Sequence, residues 1–206
     1  MARICFIRHG ETDWNVELRM QGHIDRPLNA NGFAQAEALG RRFRPEEAVA
    51  IYSSDLLRAR QTAAPVARVL GLDVRHEAAL RERNFGRCEG MTLGEIAQAF
   101  AAEAEALRVG DPEHVPLGGE SRRQHQERVL VCVDVLAQRH AGQSIVVVTH
   151  GGVLDVVYRR ARGLPLTAPR DYPIPNTGIN RISIENGVWT IESWADTTHL
   201  DCQARD

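Results

Sequence analysis

The sequence predicts an α/β protein of three layers, a mostly parallel central sheet with helices on both faces. Three observations predict it. The apolar runs Ile4–Ile7 and Ile145–Val148 carry no polar alternation, the pattern of strands covered on both sides. Segments with helical spacing of apolar residues separate the strand-like runs, as crossover connections between parallel strands require. The chain has 206 residues, a length that fits one domain with a sizeable core.

The elements follow in order. Residues 3–8 form the first strand, and the polar stretch from Glu11 to Leu28, ending Asp25-Arg26-Pro27-Leu28, reads as a loop. A helix begins near Asn31, with Phe33, Ala36, Leu39 and Phe43 on one face. Val49–Tyr52 is a short second strand. After it, Ser54 or Asp55 caps a helix from Leu56 to about Leu70, which Pro65 kinks or interrupts. Asp73–His76 is a third strand, and Leu80–Gly90 is a loop carrying Arg81, Glu82 and Arg83. Thr92 and Glu95 have the spacing of a reciprocal cap and open a helix striped by Leu93, Ile96, Phe100 and Leu107. Proline and glycine crowd residues 110–119. Ser121 and Gln124 then repeat the capping pattern before a helix bearing Val129, Val133 and Leu136. A short helix, Val153–Arg160, follows the strand Ile145–Val148. Arg181–Ile184 and Val188–Ile191 flank Asn186-Gly187, a dipeptide favoured in tight hairpin turns.

Composition narrows the function classes. A net charge of −2 points to neither a nucleic-acid surface nor a membrane surface. All 25 basic residues are arginine, which excludes a lysine Schiff base or a Walker-type lysine. Cys5, Cys88, Cys132 and Cys202 are far apart, with no metal-ligand spacing; Cys5 and Cys132 read as small core residues. The chain enters a strand without an apolar leader and has no run of membrane-spanning length, so a cytoplasmic location is expected. Nothing in the sequence calls for a homodimer.

Chemistry concentrates at the ends of the two apolar runs. Arg8-His9-Gly10-Glu11-Thr12 stands where the first strand breaks into a loop. A guanidinium grips phosphate oxygens in a bidentate fork, and a neutral imidazole can attack phosphorus. His150-Gly151-Gly152 follows the Ile145–Val148 run in the same way, and Gly-Gly opens a helix whose first amides can receive an anion. In parallel sheets ligands collect beyond the carboxyl ends of the strands, so neighbouring strands would send both histidines into one crevice. Arg58, one turn into its helix, can reach the same place. In isolation it reads more readily as a surface arginine paired with Asp55. His150 alone reads as a hydrogen-bonded core residue, and Glu82 as a partner of Arg81 or Arg83.

Taken together, the motifs carry more. Arg8-His9-Gly10-Glu11-Thr12, Trp14-Asn15, Gln21-Gly22, Asp25 with Pro27-Leu28, the Ser53–Ala63 string, Glu82 with Phe85-Gly86 and Glu89-Gly90, and Thr149-His150-Gly151-Gly152 resemble the histidine phosphatase superfamily, which also contains the phosphoglycerate mutases. The motifs run in family order over residues 3–180. The resemblance implies a single domain over 1–206, with a C-terminal hairpin at about 181–194 and a short tail, 195–206. It implies that His9 is the nucleophile and becomes a phosphohistidine. Arg8, Arg58, His150 and Gly151 would hold the phosphate, and Glu82 would act first as acid and then as base. Asn15, Gln21 and Gly22 would line the substrate side. Two arginines and a protonated His150 would stabilise a metaphosphate-like transition state without metal or other cofactor.

Within the superfamily, Gly151-Gly152-Val153-Leu154 and Arg83-Asn84-Phe85-Gly86 resemble the phosphatase branch. Mutases typically have a longer insertion between the acid and the second histidine, and Thr-Gly-Trp where this chain has Gln21-Gly22-His23. The expected activity is therefore hydrolysis of a small phosphorylated metabolite. A cofactor-dependent phosphoglycerate mutase, or a non-catalytic phosphate-binding module on the same fold, are the alternatives. Cys88 stands where relatives often have an aromatic residue. The region from Met91 to Gly119 is expected to lie over the phosphate site and set specificity.

Overall fold

The structure, a computed structural model, describes residues 1–205, with side chains through Asp201. The Cys202 thiol and Asp206, in the tail expected over 195–206, lie outside the described residues. Six strands form one sheet. β1 (Ala2–Arg8), β2 (Ala50–Ser53), β3 (Val74–His76) and β4 (Ser144–Thr149) are parallel. β5 (Ile179–Glu185) and β6 (Val188–Asp196) join antiparallel, giving the order β3-β2-β4-β1-β5-β6. Asn186 and Gly187 make the β5–β6 turn at φ 51° and 78°, the left-handed pair that such a turn requires.

The unbroken apolar runs follow from burial on both faces, because successive side chains point opposite ways. Ile4, Phe6, Ile145 and Val147 face one side, under α6 (Arg122–Arg139) and α7 (Gly151–Arg162), and meet Val129, Val133, Leu154 and Val157 there. Ile7, Val146 and Val148 face α2 (Ala30–Arg42) and α3 (Leu57–Leu70), where Leu39, Ala63 and Val66 receive them. The remaining helices, α1 (Asp13–Val16), α4 (Leu93–Ala99) and α5 (Ala101–Val109), belong to the connecting segments. Cys5, Cys88 and Cys132 are unpaired, and burial pushes the thiols of Cys5 and Cys132 up to about 12. Among the described residues no helix is long and apolar enough to cross a membrane.

Several elements differ from expectation. The stretch Glu11–Leu28 contains α1, opened by a reciprocal cap between Thr12 and Asn15. Phe33 is 46% exposed, because α2 turns its glycines inward instead. A Cβ on Gly32 would lie 2.0 Å from Glu11 O, and one on Gly40 would lie 2.9 Å from Pro65 Cβ. Backbone approach, not the largest side chain, sets that face. Neither Ser54 nor Asp55 caps α3. Leu56 is its N-cap, and Asp25 reaches from the preceding loop to accept from Leu57 N at 2.6 Å. The helix runs through Pro65 without interruption. The helix expected from Thr92 onward breaks at Phe100 (φ −142°, ψ 72°) into α4 and α5, and Leu93 is exposed. The capping boxes at Thr92 and Ser121 form as the spacing predicts. The end of the chain continues past β6 into a 3-10 segment, Thr198–Arg205, where buried His199 lies with Nε2 3.1 Å from Thr177 Oγ1.

Candidate active site

Parallel pairing brings the chemistry together. Arg8 pairs with Thr149 across β1 and β4, and Ser53 with Val148 across β2 and β4. The next residues, His9, His150 and Ser54, therefore emerge side by side at one edge of the sheet. His9 N donates to Thr149 O at 2.8 Å and Ser54 N to Val148 O at 3.0 Å. The His9 and His150 rings lie 5.2 Å apart, tilted by 59°.

His9 is buried, with Nδ1 2.7 Å from Gly10 O. A carbonyl can only accept, so Nδ1 carries the proton and the lone pair sits on Nε2. Burial first, then the charges of Arg58 and Arg8, hold this imidazole's pKa well below 6.5. It is a neutral base with one committed nitrogen and one available. The loop behind it is fixed at several points. Gly10 N donates to Thr62 Oγ1 at 2.9 Å, and that hydroxyl donates to Arg58 O at 2.7 Å. A Cβ on Gly10 would lie 2.7 Å from Gly32 O, so this close approach needs glycine. Asn176 Nδ2 donates to His9 O at 2.9 Å.

Three cationic or donor groups surround His9. Arg8 gives Nη1 to Ile174 O at 2.7 Å, and its buried Nε has no partner. Arg58 is fully buried rather than paired with Asp55, which is taken by Arg81 at 2.6 Å. Arg58 donates to Gly22 O at 2.8 Å and Ile24 O at 3.0 Å, again leaving Nε unpartnered. Burial lowers the Arg58 pKa to about 10, so it stays charged near neutral pH. His150 Nε2 lies 2.8 Å from Ser54 Oγ, and its Nδ1 has no partner. Burial first, and Arg58 next, hold His150 well below 6.5. The protonated His150 expected from the sequence is therefore neutral in this arrangement. Unpartnered buried donors are costly, and both arginines lie close enough to His9 and His150 for their charges to act on the two imidazoles.

Glu82 completes the crevice. Its Oε1 accepts from Arg83 N at 2.8 Å and its Oε2 from Gly152 N at 2.9 Å. It pairs with neither the Arg81 nor the Arg83 guanidinium; Arg81 goes to Asp55, and Arg83 stacks 4.6 Å over the Phe85 ring. The Gly-Gly start of α7 thus binds this carboxylate. A Cβ on Gly151 would lie 3.7 Å from Arg8 Nε and 3.9 Å from Glu82 Oε2, so Gly151 sits between the two groups.

The other expected residues take supporting positions. Asn15 Oδ1 accepts from Thr12 N at 3.1 Å and lies 3.4 Å from Asn176 Nδ2. Gln21 is buried with its Oε1 unpartnered. Gly22 acts through its carbonyl on Arg58; at φ 51°, a Cβ there would lie 1.9 Å from Glu89 Oε1. Sequence reasoning missed Asn176, Thr62 and the histidine-facing role of Ser54. Thr62 had a signal, since it follows Arg58 by one turn. Asn176 had none, because a residue so distant in sequence reaches His9 only through the fold.

A cavity of about 520 Å³ opens beside Glu82 and Gly152. Leu107, Val109 and Phe85 form apolar parts of its lining, and Arg83, Arg122 and His125 polar parts. Part of the 91–119 region thus lies next to the candidate acid. Among the described residues no group of three or more His, Cys, Asp or Glu is placed to hold a metal ion.

A buried neutral imidazole in the field of two arginines, on which a nearby carboxylate also acts, is an arrangement suited to phosphoryl transfer to nitrogen. The family profile of the histidine phosphatase superfamily (branch 1) matches residues 4–197. The chain belongs to that superfamily. It is 37% identical to phosphoglycerate mutase-like protein 4 of Arabidopsis thaliana, covering 97% of this chain and 87% of that one. It is 36% identical to a metal-independent phosphoserine phosphatase of the same plant, covering 97% and 84%. The solved structure of YhfR from Bacillus stearothermophilus superposes with a TM-score of 0.90 at 32% identity, covering 97% of this chain and all of that one.

Proposed function

We propose that this chain is a phosphomonoester hydrolase that works through a phosphohistidine at His9, without metal or organic cofactor, on a small phosphorylated metabolite. One observation carries the reading: the buried, neutral His9, its Nδ1 committed to Gly10 O, lies within the field of Arg58 and Arg8, whose buried Nε groups the protein itself leaves unpartnered. The relative named as a metal-independent phosphoserine phosphatase supports it.

In the first half-reaction Nε2 attacks phosphorus, the P–N bond forms and the P–O ester bond breaks. Protonated Glu82 gives its proton to the leaving oxygen. Arg8 and Arg58 bind the equatorial oxygens, where charge spreads in a loose transition state. The incoming dianion favours the charged form of His150, which becomes a further donor as substrate binds. In the second half-reaction the Glu82 carboxylate takes a proton from water, the water oxygen bonds to phosphorus and the P–N bond breaks. Asn15, Gln21, Gly22 and Gly151 shape the loop and backbone around the substrate. The proposal treats the whole chain as one catalytic domain working in the cytoplasm.

Assays on p-nitrophenyl phosphate and 3-phosphoglycerate test it. Phosphate release from the aryl ester, with an acid-labile phosphoprotein on rapid quenching, is the expected result. Interconversion of 3- and 2-phosphoglycerate in place of phosphate release would favour the mutase. Phosphate binding with no turnover of either compound would identify a non-catalytic module.

A further inference from the structure

We propose that the outward face of α6 binds a second copy of this chain, with the two α6 helices antiparallel across a two-fold axis. One row of side chains on that face carries the inference. Glu127, Val131, Val135 and Arg139 follow one another at four-residue intervals, so they form a single ridge along the helix. All four are exposed, Val131 at 65% and Val135 at 46%. The inward residues of the same helix, Val129, Val133 and Leu136, already fill the core.

Helix formation does not explain the two outward valines. Valine is a weaker helix former than alanine, leucine or arginine, and its apolar surface is unfavourable in water. Nor do the two stand alone. A groove of about 580 Å³ opens beside them, and its lining includes Ala79, Cys132 and Leu136. An apolar ridge next to an apolar groove is a surface on which another helix can seat.

Charge identifies the occupant. The ridge is acidic at its start and basic at its end, with both valines between. A two-fold axis passing between Val131 and Val135 reverses the second helix and makes the contact isologous. Val131 then meets the partner subunit's Val135, and Glu127 meets the partner subunit's Arg139. Each contact occurs twice. A shift of one turn either way sets a charge against a valine, so the pattern fixes its own register. A partner of other sequence would have to carry the same order of charges; a second copy carries it by construction. Among the described residues neither Glu127 nor Arg139 enters an ion pair. Arg139 Nη1 donates to Tyr52 Oη at 3.4 Å and lies in the field of Glu77, while the side chain stays exposed. With 18 residues, α6 spans about 27 Å, so the whole ridge fits within one helix-on-helix contact.

Sedimentation equilibrium of the intact protein, from about 1 to about 100 μM, tests the proposal. A monomer–dimer equilibrium with Kd on the order of 10 μM or tighter is expected. Val131→Asp should raise that Kd by about tenfold or more. If Val131→Asp does not fold by circular dichroism, Val135→Asp is expected to act in the same way. Glu127→Arg and Arg139→Glu should each weaken the dimer, because like charges then meet twice. The double variant Glu127→Arg/Arg139→Glu should restore it, since opposite charges again face each other. A protein that stays monomeric throughout the range would overturn the proposal and leave the groove to another occupant. A dimer that both valine variants leave unchanged would place the contact elsewhere and overturn it too. So would a double variant as weak as either single one, which would exclude the antiparallel register.

Discussion

The carboxylate of Glu82 accepts a hydrogen bond from the Gly152 amide at 2.9 Å, in the first turn of the helix that His150 caps. The two ends of the chemistry are thereby tied to one piece of backbone. β4 delivers His150 beside His9, and two residues later the same chain holds the carboxylate proposed as proton donor. A helix N-terminus favours negative charge, which explains why the carboxylate lies there instead of on the neighbouring arginines. It also explains the second glycine. A Cβ at position 152 would lie 2.0 Å from Glu82 Oε1 and 3.1 Å from His125 Cε1.

Gly152→Ala should separate activity from stability. Alanine is the better helix former by about 1 kcal/mol, and the clash falls mainly on the movable end of Glu82. The carboxylate must swing away from the crevice. We expect turnover of alkyl phosphates to fall by roughly tenfold to a hundredfold with the melting temperature preserved. Comparing kinetics with thermal unfolding checks it; a stable, fully active variant would show that Glu82 need not sit where it does.

His9→Ala should abolish hydrolysis, because His9 is the proposed nucleophile, its Nε2 lone pair left available by the commitment of Nδ1 to Gly10 O. Arg8 and Arg58 are untouched, so inorganic phosphate should still bind. Rapid-quench labelling and calorimetry read the two properties separately. Residual turnover above a few per cent in the folded variant would move the nucleophile elsewhere.

The parts of the site that were legible in the sequence are those fixed by strand ends. His9 and His150 each follow an apolar run, and parallel pairing of neighbouring strands was enough to bring them together. Glu82 was readable through its motif, but its partners were not: a loop residue flanked by Arg81 and Arg83 looks like an ion pair until the fold offers Gly152 N. Phe33 misled for a similar reason. Hydrophobicity names the residue that gains most from burial, while α2 is seated by how closely Gly32 and Gly40 let backbones approach. Phe100 misled because periodicity does not register a single residue that breaks a helix in two. Asn176 lies 167 residues from His9 and could come only from tertiary structure.

Exhaustive chelation should leave activity unchanged. The proposed anion site relies on the Arg8 and Arg58 guanidinium groups, which would supply charge directly to the phosphoryl oxygens. Assays after prolonged incubation with EDTA and with 1,10-phenanthroline check this. Loss of activity that magnesium or zinc restores would require a metal in the mechanism.

Stability should fall on mild acidification. His9, His125 and His150 all have folded pKa values below the ordinary 6.5, mainly through burial, with His125 pushed down to about 3. Below pH 6.5 the unfolded chain binds protons that the folded chain does not, so unfolding becomes easier as pH falls. Each such histidine contributes up to about 1.4 kcal/mol per pH unit below that point. The contribution is complete above the unfolded pKa and is lost on descent toward the folded one. Urea midpoints should drop from about pH 6.5 to about pH 5, a range above the carboxylate titrations. His125→Gln should flatten that slope by one proton. A slope unchanged in the variant would mean that His125 is protonated in the folded state.

The sharpest test of Glu82 uses leaving groups. A good leaving group departs without a proton, so an acid matters only for poor ones. Glu82→Gln keeps the side chain's length and one acceptor, but loses the proton and places an NH2 where one of the Arg83 and Gly152 amides now donates. Phosphorylation of His9 should slow by about a hundredfold or more with alkyl phosphates and far less with p-nitrophenyl phosphate. Hydrolysis of the phosphohistidine needs the carboxylate as base, so with the activated ester the variant should accumulate phosphoenzyme. A burst of p-nitrophenolate, equal to the enzyme concentration and followed by a slow steady rate, is the expected trace. Equal slowing of both ester types with no trapped phosphohistidine would reduce Glu82 to a brace between the Arg83 and Gly152 amides. The proton would then have to come from another group on the cavity lining, and His125 would be the first to substitute.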